Sequence, residues 1–260
     1  MVKFFQLKSY LNHWLSVVDE HSIHSPFFFD LYNKVIKPTD ELKGFEEIEK
    51  TRTQLLQNQS EVSVIDLGAR SKHFKNSKRT IAQVAVTSLS PEEITRFIYR
   101  LLSHLDAKQI VELGTSMGVT SLYMAKKENA FVNTFEGNPS MINIALTNFE
   151  CFETKNINLI EGNIDDTLPK FLQTPMKIDF VLMDANHRYE PTIHYFNLLT
   201  KRIADKGVIV VDDIYNSTEM GKAWNQLKNH PLVYGSVDLF RCGILFFDPA
   251  LNKQHYVWSL

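Results

Sequence analysis

Cysteine is scarce: the 260 residues hold two, Cys151 and Cys242. Two cannot build a disulfide framework, they lack the spacing of a metal site, and their rarity suits a reducing compartment. Long apolar runs are missing as well. No stretch reaches the roughly 20 residues that span a bilayer, and the N-terminus carries no apolar core followed by a small-residue cleavage site. A cytoplasmic protein with no membrane partner is expected. Excess charge of one sign is also absent. With 28 Lys and Arg against 30 Asp and Glu, bulk attraction to a polyanion is excluded. There is no internal repeat and no low-complexity tract. The length suits one large α/β domain or a domain with a subdomain.

What is present centres on residues 109–118, QIVELGTSMG. They read as a short buried strand ending in an acid, a turn with two glycines, and the opening of a helix. Gly114 and Gly118 let the backbone pass close to a bound group, and the first N–H groups of the helix aim at the same place. Beyond this turn, strands over about 131–136, 157–160, 178–183 and 208–211 alternate with helices over about 139–149, 165–172, 191–203 and 216–228. Asp205-Lys206-Gly207 reads as a turn, and Asn216 with Glu219 as a capping box. An antiparallel pair, 233–239 with 241–247, and an edge strand near 256–260 close the chain. The pattern predicts an α/β fold with a doubly wound, mostly parallel sheet and a C-terminal antiparallel hairpin.

The first third is different. Phe4, Leu7, Leu11, Trp14 and Val18 recur at spacings of three and four, an apolar stripe on one helix. The polar face is not strongly basic, so the stripe is expected to dock on the body of the protein or on a second subunit and not on a membrane. Ser25-Pro26 opens a helix with Phe27, Phe28, Phe29, Leu31, Tyr32 and Val35, and a polar helix follows over about 41–57. Residues 61–90 are the least regular. Val62 to Leu67 suits a short strand or an extended segment. Arg70, Lys72, His73, Lys75, Lys78 and Arg79 form a basic run with no acid among them, either a solvated loop or a lid over an anionic ligand. Ser90-Pro91-Glu92-Glu93 is a helix start with a capping-box glutamate. The expected division is a helical extension and lid over 1–84 and a main domain over 85–260.

In open α/β sheets, ligands sit beyond the carboxyl ends of the strands. Glu112, Glu136, Asp184 and Asp212 lie at four such ends, and Asn163 follows a fifth. A buried strand-end carboxylate keeps its charge only beside a partner or water. Several on one edge point to a cleft, although such acids also cap the helix that follows. Glu136 lies about 20 residues after Gly114, the separation at which an acid on the second strand reaches ribose hydroxyls. The turn is G-x-x-x-G and lacks the denser glycines of a pyrophosphate cradle. These residues therefore suit an adenosine ligand without phosphates.

The run VELGTSMG, residues 111–118, resembles the first motif of class I S-adenosylmethionine-dependent methyltransferases. More narrowly, it is similar to the catechol O-methyltransferase-like group, which includes bacterial small-molecule O-methyltransferases. The resemblance continues through Glu136, Gly162-Asn163, Asp184-Ala185-Asn186-His187-Arg188-Tyr189 and residues 207–213, about 85–247 in all. It implies a Rossmann-like fold and a set of roles. Glu112, Gly114, Thr115, Ser116 and Gly118 would hold the methionine part of S-adenosylmethionine. Glu136, with Gly137 beside it, would take the ribose, and Asn163 and Ile164 the adenine. Asp184 would serve both cofactor binding and catalysis, and with Asp212 and Asp213 would surround Mg²⁺ or another divalent cation. His187 would accept the substrate proton.

Two positions depart from the family's pattern. Asp213 stands where metal-dependent relatives carry Asn, which keeps an oxygen ligand, adds negative charge and suits a hard cation. His187 stands where they carry Lys, and a histidine is ordinarily neutral and ready to accept a proton at cell pH. Both changes also fit a metal-free enzyme. The implied reaction is in-line methyl transfer to a hydroxyl of a small molecule, by a homodimer. His187 is either that base or a helix-start residue bonded to backbone, and His21, His24 and Arg241 either border the pocket or are structural. Base N-methylation is disfavoured, because Asp184-Ala185-Asn186-His187 replaces the polar residue, two prolines and aromatic that such enzymes carry. Nucleic acid as substrate stays open through the basic run near Lys72 to Arg79. So does a non-catalytic cofactor-binding or dimerisation protein.

Overall fold

The computed structural model describes residues 2–65 and 76–260. Arg70, Lys72, His73 and Lys75 of the basic run lie outside the described residues. The N-terminal stripe folds as helix α1 (Val2–Ser16), but a different face packs inward from the one its apolar residues mark. Phe4, Leu7, Leu11 and Trp14 are exposed, Trp14 by 64%. The packed side carries His13, buried and 3.5 Å from Asp238. Beside it Tyr10 meets Phe240 edge-on, and the Gln6 amide donates to the Asn216 carbonyl. Polar and ring contacts, which apolar periodicity does not register, decide which face turns in.

Helix α2 (Pro26–Leu31) starts at Ser25-Pro26 and ends in a π-type turn over Tyr32–Ile36. Helix α3 (Glu46–Gln57) begins later than expected. Strands β1 (Glu61–Ile65) and β2 (Asn76–Thr80) pair antiparallel. The chain then forms a helix the sequence reading did not place, α4 (Ile81–Ser88), opened by a complete capping box between Thr80 and Gln83. Helix α5 (Glu92–His104) starts after Pro91 with no side-chain cap. The box expected of Ser90 and Glu93 does not form, and Glu92 instead accepts from Arg96 at 2.6 Å.

From β3 (Gln109–Leu113) onward the alternation is as expected: α6 (Val119–Ala125), β4 (Phe131–Glu136), α7 (Pro139–Cys151), β5 (Ile157–Glu161), α8 (Ile164–Phe171), β6 (Ile178–Met183), α9 (Tyr189–Leu199), β7 (Ile203–Val211), α10 (Thr218–Lys228), β8 (Gly235–Asp238), β9 (Gly243–Phe246) and β10 (Gln254–Val257). Two local readings change. Asp205-Lys206-Gly207 is part of β7, where the register against β6 jumps from Ile178↔Ile203 to Phe180↔Val208, so the extra residues bulge and do not turn. Helix α10 is capped by Ser217, whose hydroxyl accepts the Met220 N–H, and not by Asn216. Strands β3 to β10 form one sheet in the order β10-β8-β9-β7-β6-β3-β4-β5. The pairs β4–β5, β6–β7 and β8–β10 are parallel, while β9 runs antiparallel to β7 and β8. The α/β class and the C-terminal hairpin are both present.

The chain divides into two compact units. One comprises Met1–Pro38, Gln109–Val111 and Leu172–Leu260. Its core gathers rings: Phe28 lies 5.3 Å from Phe246, and Tyr32 lies 5.2 Å from Trp258. Gly235 is required there, because a Cβ would meet the Phe28 ring at 2.5 Å. The other unit comprises Thr39–Lys108 and Glu112–Phe171. Its core stacks Phe45 on Tyr123 at 4.5 Å, among Ile48, Leu55, Met117, Leu122 and Phe149. Each such side chain, fully buried, contributes roughly 1.5–3 kcal/mol. No helix among the described residues is long and apolar enough to cross a membrane.

Candidate functional site

The turn after β3 is held by backbone. The N–H groups of Gly114 and Thr115 both donate to the Phe135 carbonyl, at 3.0 and 3.1 Å. Gly114, Ser116 and Gly118 all have positive φ, at 102°, 49° and 82°. Gly118 is needed for a reason the motif does not reveal: a Cβ there would lie 2.6 Å from the Phe149 ring.

Glu136, at the end of β4, clamps this turn. Its Oε2 accepts the Ser116 N–H at 2.8 Å, and its Oε1 accepts those of Gly137 and Asn138 at 2.9 and 2.8 Å. Burial raises the carboxyl's pKa above its ordinary value, against the three amides that lower it. Ser116 also donates from its hydroxyl to Ser88, the last residue of α4.

Glu112 sits behind the turn and is 1% exposed. Its Oε2 accepts the hydroxyls of Ser121 and Thr134, the latter at 2.6 Å, and Thr134 is within 2.6 Å of the Thr115 hydroxyl. Burial pushes the Glu112 carboxyl up to about 7, with those hydroxyls acting the other way. Beyond β5, Gly162 has φ 124° and donates to the Glu136 carbonyl. Asn163 is exposed, its side chain accepts the Asp165 N–H, and Ile164, half-buried, opens α8. Glu112, Gly114, Thr115, Ser116, Gly118, Glu136, Gly137, Asn163 and Ile164 thus belong to one unit and its strand ends.

Asp184, Asp212 and Asp213 belong to the other unit, beyond β6 and β7. His187 Nε2 lies 3.5 Å from Asp184 Oδ1. Between them Asn186 adopts φ 66° and donates to the Tyr195 hydroxyl. Asp212 is 3% exposed, and its Oδ2 accepts from Arg241 Nη2 at 3.1 Å. Burial raises the Asp212 pKa, Arg241 lowers it and Asp213 raises it, with a net rise. Burial works against the charge of Arg241, yet Asp212, Asp213 and Asp184 together hold its pKa above the ordinary value.

The donor set does not fit a divalent cation. One oxygen of Asp212 already faces a guanidinium, and Asp184 pairs with His187. Among the described residues, no three His, Cys, Asp or Glu side chains converge on a metal position. Arg241 is the residue that reading by motif undervalued; no local pattern distinguishes it, because its partner lies on a distant strand end. His21 and His24 are exposed, and His21 lies 3.9 Å from Glu20.

Residues 111–214 match a family described as a methyltransferase domain. A catechol O-methyltransferase of Niastella koreensis is 27% identical over 159 residues, which are 60% of this chain and 69% of that protein. Among solved structures, an O-methyltransferase of Bacillus cereus in complex with S-adenosylhomocysteine superposes with TM-score 0.56 at 15% identity, over 80% of this chain and 92% of that one. An O-methyltransferase of Streptomyces achromogenes in complex with S-adenosylmethionine gives 0.54 at 18% identity, over 62% and 82%. These structural likenesses establish the Rossmann-like fold.

Proposed function

We propose that this chain, whose residues 111–214 match a methyltransferase-domain family, transfers the methyl group of S-adenosylmethionine to a hydroxyl oxygen of a small molecule. The observation that carries the reading is the Glu136 carboxylate at the end of β4, tied to the backbone of the glycine turn at Ser116. An acid in that place, beside a turn too poor in glycine for a pyrophosphate, suits the ribose of an adenosine ligand. The relatives' names and ligands agree with it.

When bound, S-adenosylmethionine supplies a methyl group already activated on a sulfonium. Glu136 would hold the ribose hydroxyls, the backbone from Gly114 to Gly118 the methionine part, and Asn163 with Ile164 the adenine. His187 would accept the acceptor's proton, with Asp184 orienting its ring. The oxygen's lone pair forms the new C–O bond, and the C–S pair stays with sulfur. Positioning supplies most of the acceleration, since the leaving group needs no help. A divalent cation on Asp184, Asp212 and Asp213 is left out of this reading, because the donor set does not fit one.

Phe4, Leu7, Leu11, Trp14 and Leu15, each about half to three-quarters exposed, present an apolar face that a second copy of the helix could cover. That supports a homodimer through α1. Residues 1–84 would be the extension and 85–260 the catalytic part.

Calorimetry with S-adenosylmethionine and S-adenosylhomocysteine, followed by S-adenosylhomocysteine release from a panel of phenols and vicinal diols, tests the proposal. Cofactor binding with turnover of a hydroxylated acceptor is expected. The absence of heat with either nucleoside would sink it, and methylation of tRNA alone would move the acceptor class to nucleic acid.

A further inference from the structure

The acids at the ends of β6 and β7 are gathered around a cation that belongs to the chain itself. Arg241 lies between β8 and β9, and its backbone is fixed at both ends. Its N–H donates to the Leu239 carbonyl at 2.8 Å, and its carbonyl accepts from Ile214, just past Asp212. The preceding Phe240 has φ 65°, so the link turns tightly and aims the next side chain. The guanidinium reaches Asp212 at 3.1 Å and feels the charges of Asp213 and Asp184 as well. Its side chain is still 38% exposed, although Nε itself is buried.

We propose that Arg241 takes the place of a divalent cation in this chain, so that the fixed positive charge beside the acceptor hydroxyl is a guanidinium and the reaction runs without metal. This rests on the methyl-transfer reading. A dication brought to Asp212 would have to displace or abut Arg241, and like charges in a partly buried site repel strongly. A guanidinium can do part of a cation's work: it stabilises the oxyanion that forms as the hydroxyl proton passes to His187. Among the described residues, Asp212 Oδ1 and Arg241 Nε are buried with no hydrogen-bond partner. One accepts and the other donates, the complement of a hydroxyl group, and buried polar atoms are rarely left unpaired without reason.

Mn²⁺ titration of the full chain, followed by electron paramagnetic resonance, tests this without any substrate. Its outcome is therefore separate from that of the methyl-transfer reading. The wild type is expected to leave Mn²⁺ free, and Arg241→Ala, which uncovers Asp212 and its neighbours, to bind it at least about tenfold more tightly. Asp212→Asn in that background should abolish the gain, and Arg241→Lys should behave as the wild type. Arg241→Gln replaces the alanine variant if that one does not fold. Micromolar Mn²⁺ binding by the wild type that is lost in Asp212→Asn would overturn the proposal. So would folded Arg241→Ala or Arg241→Gln variants that ignore Mn²⁺ as the wild type does.

Discussion

Glu136 Oε2 accepts the backbone N–H of Ser116 at 2.8 Å, which ties the end of one strand to the turn that follows its neighbour. The same carboxylate satisfies Gly137 and Asn138. Glu136→Ala should therefore do two things. Three N–H groups lose their acceptor, at a cost of about 1–3 kcal/mol each where water cannot replace it. Affinity for S-adenosylhomocysteine should fall by at least about 100-fold, the worth of two charge-assisted hydrogen bonds. Calorimetry reads the affinity, and an unchanged value would remove Glu136 from the ribose site.

Glu112 gives the fold a pH dependence of its own. Its carboxyl is raised from an ordinary 4.5 to about 7, chiefly by burial. The folded chain thus keeps a proton that the unfolded chain releases. The stability this residue contributes is full below about pH 4.5 and is lost as pH rises through about 7, about 3 kcal/mol in all. Glu112→Gln, neutral throughout, should flatten that slope. Urea unfolding of both proteins at about pH 5 and about pH 8 makes the comparison; identical slopes would mean that the native carboxyl is ionised.

Gly118→Ala should destabilise the turn by about 2–4 kcal/mol, combining a left-handed φ with overpacking. The clash is with Phe149, 2.6 Å from the added Cβ. Phe149→Ala opens that space, so the double variant should recover part of the loss relative to the sum of the two single changes. Strict additivity in denaturant melts would argue against the contact.

Asp238 is 2% exposed and accepts from the Tyr215 hydroxyl at 2.6 Å, Trp224 Nε1 at 3.0 Å and the Phe240 N–H at 2.9 Å. Asp238→Ala leaves three donors unpaired, with Trp224 Nε1 buried and the other two half-buried, and should cost about 3–5 kcal/mol. The near-ultraviolet circular dichroism of Trp224 should change along with the melting temperature. Wild-type stability in this variant would contradict the bonding described.

Leu11→Glu with Trp14→Glu places charge on the exposed face of α1. Light scattering behind size exclusion should show a dimer in the wild type and a monomer in the double variant. The melting temperature of the monomer should change little, since neither side chain is packed in the chain. A monomeric wild type would leave the stripe without this partner.

Some features were legible because they are local. Alternating apolar runs and turn residues placed β3 to β10 and their helices, and the acids at strand ends followed from the same spacing. Helix α4 is harder to read from sequence, because it is short and follows directly on a basic run, and its capping box between Thr80 and Gln83 is its main local signal. The face by which α1 docks on the body is set by His13 and Tyr10, which are not apolar in a hydropathy pattern, while the apolar stripe stays exposed.

Taken alone, the sequence determined the strand–helix alternation, the glycine turn and the acids that close the strands, since each depends on residues a few positions apart. Only the tertiary structure decided what those groups meet. Gly118 faces Phe149, Glu136 holds the backbone of Ser116, and Asp212 faces Arg241. These partners come from separate elements, and packing selects them through distance and desolvation, neither of which has a periodicity that can be read along a chain.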